Sequence, residues 1–148
     1  MLIFIMVGVL ILDQFTKYLA WTYLLEIGSM PLILNIFHLT YVENTGAAFS
    51  LLSGKTSFFV LVTVIALAAS LYVFFRIEQK WVLLRVGLAL VMGGALGNLI
   101  DRIRLGFVID FLDLRIWPVF NIADCAIVVG VVLIAWVLCR NDISFKKK

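Results

Sequence analysis

The stretch "FFVLVTVIALAASLYVFF", Phe58–Phe75, contains no charged side chain. A helix that spans a bilayer needs about 20 mostly apolar residues, so this run decides the class of the chain. Three further apolar segments extend outward from it: about residues 1–24, which include Asp13 and Lys17, about 81–100, and about 119–139. The 148-residue chain is 64% hydrophobic and 14% charged, against about 25% charged in an ordinary soluble domain. These features predict an integral membrane protein, mainly α, with four transmembrane helices in a single domain, 1–148. The first segment lacks a basic leading region and a small-residue cleavage site, and Asp13 and Lys17 interrupt it. It therefore reads as a retained helix rather than a signal peptide. A net charge of +3 is too small to argue for a nucleic-acid partner. Cys125 and Cys139 lie in or beside an apolar run and read as free thiols acting as small hydrophobes.

Orientation follows from lysine and arginine. Arg76, Lys80 and Arg85 fall between the second and third helices, and the chain ends in Lys146, Lys147 and Lys148. Both regions are expected in the cytoplasm, with both termini inside and the connections 25–57 and 101–118 outside. Arg102, Arg104 and Arg115 lie on the disfavoured side, which predicts paired, site-specific jobs for them. The first outer connection contains "NIFHLTYV" (Asn35–Val42), "NTG" (Asn44–Gly46) and "AAFSLL" (Ala47–Leu52). β-Branched and alternating runs around a turn predict a small sheet over about 31–52. An open sheet edge cannot sit in hydrocarbon, so this β-cradle is expected at the outer interface, resting on the helices.

The polar residues inside the apolar segments carry the chemistry. A charge at the bilayer centre costs about 2.5–3.5 kcal/mol on insertion scales, so it tends to be paired or to face a polar cavity. Asp13 and Lys17 are spaced i, i+4 and share a helix face. They read either as a local ion pair that eases insertion or as two walls of a polar site, and "DQFTK" adds Gln14 and Thr16. In "GGALGNLIDRIR" (Gly93–Arg104), Gly93 and Gly97 form a GxxxG suited to close helix packing. Asn98, Asp101 and Arg102 follow on one face, as an interfacial ion pair or as a polar face that continues inward. Asp124 falls in the expected first turn of the fourth helix, with Asn121 as cap, where a carboxylate is stabilised by the helix dipole. Asp110 stands in "GFVIDF". Singly, each acid has a structural explanation; together they can meet across a cleft near the outer leaflet. The single histidine, His38, sits in an expected strand, so no metal cluster is credible, and Ser50 and Ser53 lack a neighbouring base. Carboxylates remain as the catalytic candidates. Two aspartates that share a site cannot both ionise easily, and one ionised and one protonated carboxyl are what peptide hydrolysis by such a pair needs.

The motifs "DQFTK" (Asp13–Lys17), "ENTGAAFSLL" (Glu43–Leu52), "GGALGNLIDR" (Gly93–Arg102), "VIDFLD" (Val108–Asp113) and "FNIADC" (Phe120–Cys125) occur in this order. With them the chain resembles the lipoprotein signal peptidases, or signal peptidase II family, over nearly its whole length. The resemblance implies four transmembrane helices, an outer β-cradle and an outer connection able to close over substrate. It implies an aspartyl endopeptidase of the bacterial cytoplasmic (inner) membrane that needs no metal or cofactor. The substrate would be a lipid-modified prolipoprotein, cut before its diacylglyceryl-modified cysteine. Apart from the resemblance, the chain is expected among membrane lipids as a monomer. The family's catalytic dyad aligns with Asp110 and Asp124. Its supporting polar positions align with Asp13, Lys17, Asn44, Gly46, Asn98, Asp101, Arg102, Asn121 and Ala123. Two departures are visible: the connection from Asp110 to Asp124 is short, and Cys125 stands where serine or alanine is commoner. Asp113 is expected to be solvated or paired with Arg115, outside the site. A proton-coupled transporter and a non-catalytic membrane subunit are the other classes compatible with intramembrane carboxylates; no internal repeat favours the former.

Overall fold

A computed structural model describes residues 2–46 and 54–140. Ala47–Leu52, Ser50, Ser53 and Lys146–Lys148 lie outside the described residues. Four helices, α1 (Leu2–Leu24), α2 (Thr56–Arg76), α3 (Val82–Leu105) and α4 (Ile122–Arg140), are each long and apolar enough to cross a membrane. Strands β1 (Ser29–Ile33), β2 (Phe37–Asn44) and β3 (Val108–Asp113) form one antiparallel sheet in that order. The expected architecture of four spans and a small sheet is the one observed.

α3 is the hub, packed against the other three helices, and small residues allow this. A methyl group on Gly87 would stand 2.8 Å from the Gly130 carbonyl, and one on Gly130 would stand 2.6 Å from the Gly87 carbonyl. α3 and α4 therefore cross backbone to backbone, as small-residue interfaces in membranes do. Gly93 meets Met6 and Val9 of α1, and Gly94 meets Ala123 and Ile127 of α4. The expected GxxxG thus packs on one helix, with the adjacent Gly94 serving the other. Gly130→Ala is expected to lower the thermal midpoint in detergent, by the equivalent of about 1–3 kcal/mol typical of overpacking. Gly8→Ala, where an added methyl meets nothing within 4 Å, is the control and should not lower it.

α1 inverts the soluble pattern. Its buried residues are Asp13, Lys17, Ala20 and Leu24, while Phe4, Ile11, Phe15 and Tyr18 are exposed. The apolar face meets lipid and the polar stripe meets protein. α2 has no buried residue, and it carries no charge before Arg76 in its last turn.

Three boundaries differ from expectation. α3 continues to Leu105, so Asp101, Arg102 and Arg104 are helical rather than part of an outer connection. Arg102 and Arg104 sit in its last turn, where the helix dipole favours cations. Gly106 ends the helix at φ 86°, its N–H donating to the Arg102 carbonyl. α4 begins at Ile122, three residues later than expected. The third strand of the cradle is "VIDFLD", which the expected range 31–52 did not include. β1 and β2 are joined through Asn35, at φ 59°, and Asn44–Gly46 forms an Asx turn in which the Gly46 N–H donates to Asn44 Oδ1 at 3.0 Å.

β3 positions the site. Side chains alternate across a strand, so Ile109 and Phe111 pack with Ala20 and Leu24 of α1 while Val108 and Asp110 face a cavity on the other side. An extra residue in β2 between Leu39 and Val42 shifts the pairing, setting Val42 opposite Asp110.

Candidate active site

Two linked polar clusters sit where α1, α3, α4 and β3 converge. In the first, Lys17 Nζ lies 2.9 Å from Asp13 Oδ2 and 2.8 Å from Asp101 Oδ2, and donates to Asn98 Oδ1 at 2.8 Å. All four side chains are buried. Two carboxylates against one ammonium leave the group one negative charge in excess, which further donors offset. The Ala123 N–H donates to Asp13 Oδ1 at 2.9 Å, the Ile109 N–H to Asp101 Oδ2 at 3.2 Å, and Gln14 Nε2 to Asp101 Oδ1 at 2.9 Å. Buried charges persist when paired and hydrogen-bonded in this way. The i, i+4 pair read from the sequence exists, and Asp101 makes it a triad. The position of Gly97 is tied to it, because a methyl group there would collide with the Asp13 carboxylate.

Asn98 passes the network to the second cluster. Its Nδ2 donates to Asp124 Oδ1 at 2.9 Å. Asn121 and Asp124 cap the start of α4 reciprocally. The Asp124 N–H donates to Asn121 Oδ1 at 2.9 Å, and the Asn121 N–H donates to Asp124 Oδ2 at 3.2 Å, an Asn/Asp version of the capping box. Asn121 Nδ2 donates to Asp110 Oδ1 at 2.6 Å and to Asn98 Oδ1 at 3.1 Å. Asn44 Nδ2 donates to Asp110 Oδ2 at 2.9 Å. Asp110 and Asp124 are therefore held by amide donors from β2, α3 and the residue that caps α4.

The short connection between the two acids brings them together. The Leu112 N–H donates to the Phe120 carbonyl at 2.8 Å and the Phe120 N–H to the Leu112 carbonyl at 3.1 Å. This bridge folds residues 113–119 into a loop, so Asn121 emerges beside Asp110. Arg115 turns the loop at φ 64°.

Asp110 and Asp124 line one cavity of about 290 Å³, with Asn44, Gly46, Asn98 and Arg102. Its apolar wall includes Val108, Trp117, Pro118, Ile127 and Val128. Trp117 and Pro118 lie on the expected covering loop; Val108, Ile127 and Val128 were not singled out, because nothing distinguishes them from other apolar residues of β3 and α4. Burial, and next the negative charge of Asp124, push the Asp110 carboxyl up to about 7, against the hydrogen bonds from Asn44 and Asn121.

The structure brings the sequence-predicted residues together in two ranks. Asn44, Gly46, Asn98, Asp110, Arg102 and Asp124 face the cavity. Asn121 bridges Asp110 and Asn98 from behind, and Asp13, Lys17, Asp101 and Ala123 form the buried base. Arg102 was expected to be a support, but it lies on the cavity wall itself, its Nη2 donating to the Gly46 carbonyl at 3.2 Å and its guanidinium 5.2 Å from the Phe59 ring centroid. Gln14 was noted without a role and is a member of the triad cluster. Thr16 binds its own helix backbone instead. Asp113 is not solvated: it is buried, pairs with Arg115 at 3.0 Å and accepts from Thr40 Oγ1 at 2.8 Å. It lies outside the cavity.

A family model described as signal peptidase (SPase) II matches residues 5–140. A lipoprotein signal peptidase of Moorella thermoacetica is 55% identical over 130 residues, covering 88% of this chain and 87% of its own. One of Caldanaerobacter subterraneus subsp. tengcongensis is 50% identical over 139 residues, covering 93% and 95%. A bacterial membrane enzyme solved by the in meso method at 2.3 Å superposes with a TM-score of 0.86 at 38% identity, covering 97% of this chain and 94% of that one. A second, at 1.9 Å, gives 0.85 at 41% identity, covering 95% and 94%. With a carboxylate pair at the head of a four-helix membrane fold and relatives matching it almost end to end, the chain belongs to the signal peptidase II family.

Proposed function

We propose that this chain is a single-domain membrane aspartyl endopeptidase that removes signal peptides from bacterial prolipoproteins, with Asp110 and Asp124 as its catalytic pair. The observation that carries the assignment is the shared cavity: two carboxylates from different elements, fixed by amide donors, in a pocket with an apolar wall. Asp124 stands at the first turn of α4, where the helix dipole favours a charge, and acts as the base. Asp110 holds the proton that the pair retains, because burial and its neighbour's charge disfavour its ionised form. A water between them gives a proton to Asp124 as its oxygen attacks the scissile carbonyl carbon. Asp110 gives its proton to the carbonyl oxygen. The resulting diol returns one hydroxyl proton to Asp110 as it collapses, the C–N bond breaks, and the proton on Asp124 goes to the leaving amine of the cysteine. Asn44, Gly46 and Arg102 stand where substrate backbone can be held, and the buried triad below fixes Asn98 and the start of α4.

A lipid-modified precursor reaches such a site laterally, with its acyl chains in the bilayer. Arg76, Lys80, Arg85 and Arg140 lie at the opposite end of the helices. By the distribution of positive charge, that end and both termini face the cytoplasm, and the site faces the outer leaflet of the cytoplasmic membrane. The test uses purified full-length chain in detergent with a diacylglyceryl-modified prolipoprotein and its unmodified counterpart. Cleavage should leave the modified cysteine as the new N-terminus and should be confined to the modified precursor. An intact modified precursor would overturn the assignment.

A pH dependence follows. With Asp110 required in its protonated form and titrating near 7, kcat/KM should fall tenfold per unit on the alkaline side of about 7. A rate that stays level to pH 9 would remove Asp110 from the acid role.

A further inference from the structure

At the end of the bundle opposite the aspartates, the start of α3 and the end of α4 enclose a cleft of about 360 Å³. Lys80 and Arg140 stand at its rim, Trp81 and Trp136 line it, and Leu84 and Val137 are the buried residues at its base. We propose that this cleft binds an anionic phospholipid, its phosphate between Lys80 and Arg140 and an acyl chain over Leu84 and Val137.

Charge complementarity is the first argument. Arg76, Lys80, Arg85 and Arg140 gather at this end, and among the described residues its only acid is Glu78. Glu78 engages Lys80 at 3.0 Å, but Lys80 is exposed and Glu78 only partly buried, so the pair is weak and an arriving phosphate can replace it. No side chain caps α3 at Trp81, which leaves the partial positive charge of its first turn facing the same region.

Continuity with lipid is the second argument. α3 and α4 span the membrane, and the rim residues Val82, Leu83 and Trp136 expose apolar surface where bilayer begins. Lys80 lies 5.8 Å from the Trp81 ring centroid and Arg140 4.9 Å from that of Trp136. Cations held over indoles at a membrane boundary place charge at headgroup level with apolar surface beneath it. A phosphate attached to an acyl chain satisfies both halves of the cleft, whereas free phosphate satisfies one.

The test is a titration of the full chain in neutral detergent with phosphatidylglycerol, reading the thermal midpoint. Parallel arms use phosphatidylcholine and inorganic phosphate. Phosphatidylglycerol should raise the midpoint saturably and the other two should not. Lys80→Gln and Arg140→Gln should each weaken the apparent affinity about fivefold, and together about thirtyfold, from the attraction expected per basic residue near a lipid surface. Both side chains are exposed, so the lipid-free midpoints should match that of the parent. Arg76→Gln removes a charge outside the cleft and should weaken the affinity clearly less than either cleft variant. Equal weakening by Arg76→Gln, or an equal rise with phosphatidylcholine or phosphate, would overturn the proposal. So would a rise that follows protein concentration instead of lipid, since it would assign the cleft to a second copy of the chain.

Discussion

Asp110→Asn and Asp124→Asn, made separately, should each lower prolipoprotein cleavage by about 10²–10⁴-fold, the range for loss of a positioned acid or base. Both variants should still fold, because the amide is nearly isosteric. The cost to stability is not zero. Each Asp110 oxygen accepts from an amide nitrogen, Asn44 on one side and Asn121 on the other, and an asparagine presents one acceptor where two are used. One donor is left unpaired, at about 1–3 kcal/mol. The pH dependence of that cost has a definite sign. The folded carboxyl titrates near 7 against an ordinary 3.8, so the folded state binds a proton that the unfolded state has already released. Its contribution to stability is complete below about 3.8 and is lost as pH rises through 7. The parent's thermal midpoint should therefore fall relative to that of Asp110→Asn between pH 5 and pH 8. Cleavage at parental rates by either variant would sink the dyad; parallel midpoints across this range would show that Asp110 is ionised throughout.

The largest effect on stability is expected at Lys17. Lys17→Met leaves Asp13 and Asp101 buried with no cation, and removing one partner from a buried ion pair costs about 3–5 kcal/mol. Asp101→Asn should cost much less, because it removes the excess charge and leaves Asp13 paired with Lys17 at 2.9 Å. The ordering is the test, measured as yield of folded protein and as thermal midpoint in detergent. If Lys17→Met were no worse than Asp101→Asn, the ammonium would not be the group that makes the two carboxylates tolerable.

The four spans were legible because each run of apolar residues is long, and hydropathy alone decides it. Asn121 was legible as a cap, because an amide three residues before an acid at the start of an apolar run is a local signal. β3 was not. "VIDFLD" is buried at five of its six positions, so it lacks the polar–apolar alternation that marks a strand with one wet face. Its partner β2 lies over sixty residues away in sequence. Asp101 shows the same limit from another direction. Nothing local distinguishes it from an interfacial acid; its bond to Lys17 exists because Gly93 and Gly97 let α1 and α3 approach. The two aspartates were found by chemical elimination and by resemblance, whereas the amides that hold them come from β2, α3 and the residue that caps α4, and only tertiary folding assembles that set.

The bond from the Ala123 N–H to Asp13 bears on biosynthesis. A chain enters the membrane from its N-terminus, so α1 is made first and α4 last. Until α4 arrives, Asp13 lacks the Ala123 N–H, Asn98 has no aspartate to hold, and Asp124 does not exist. The first helix made carries the receptor for the last, and the final insertion step both docks α4 and completes the carboxylate pair. On the proposed dyad, a chain whose α4 has not docked lacks half of its carboxylate pair and should leave newly made precursors beside it uncut.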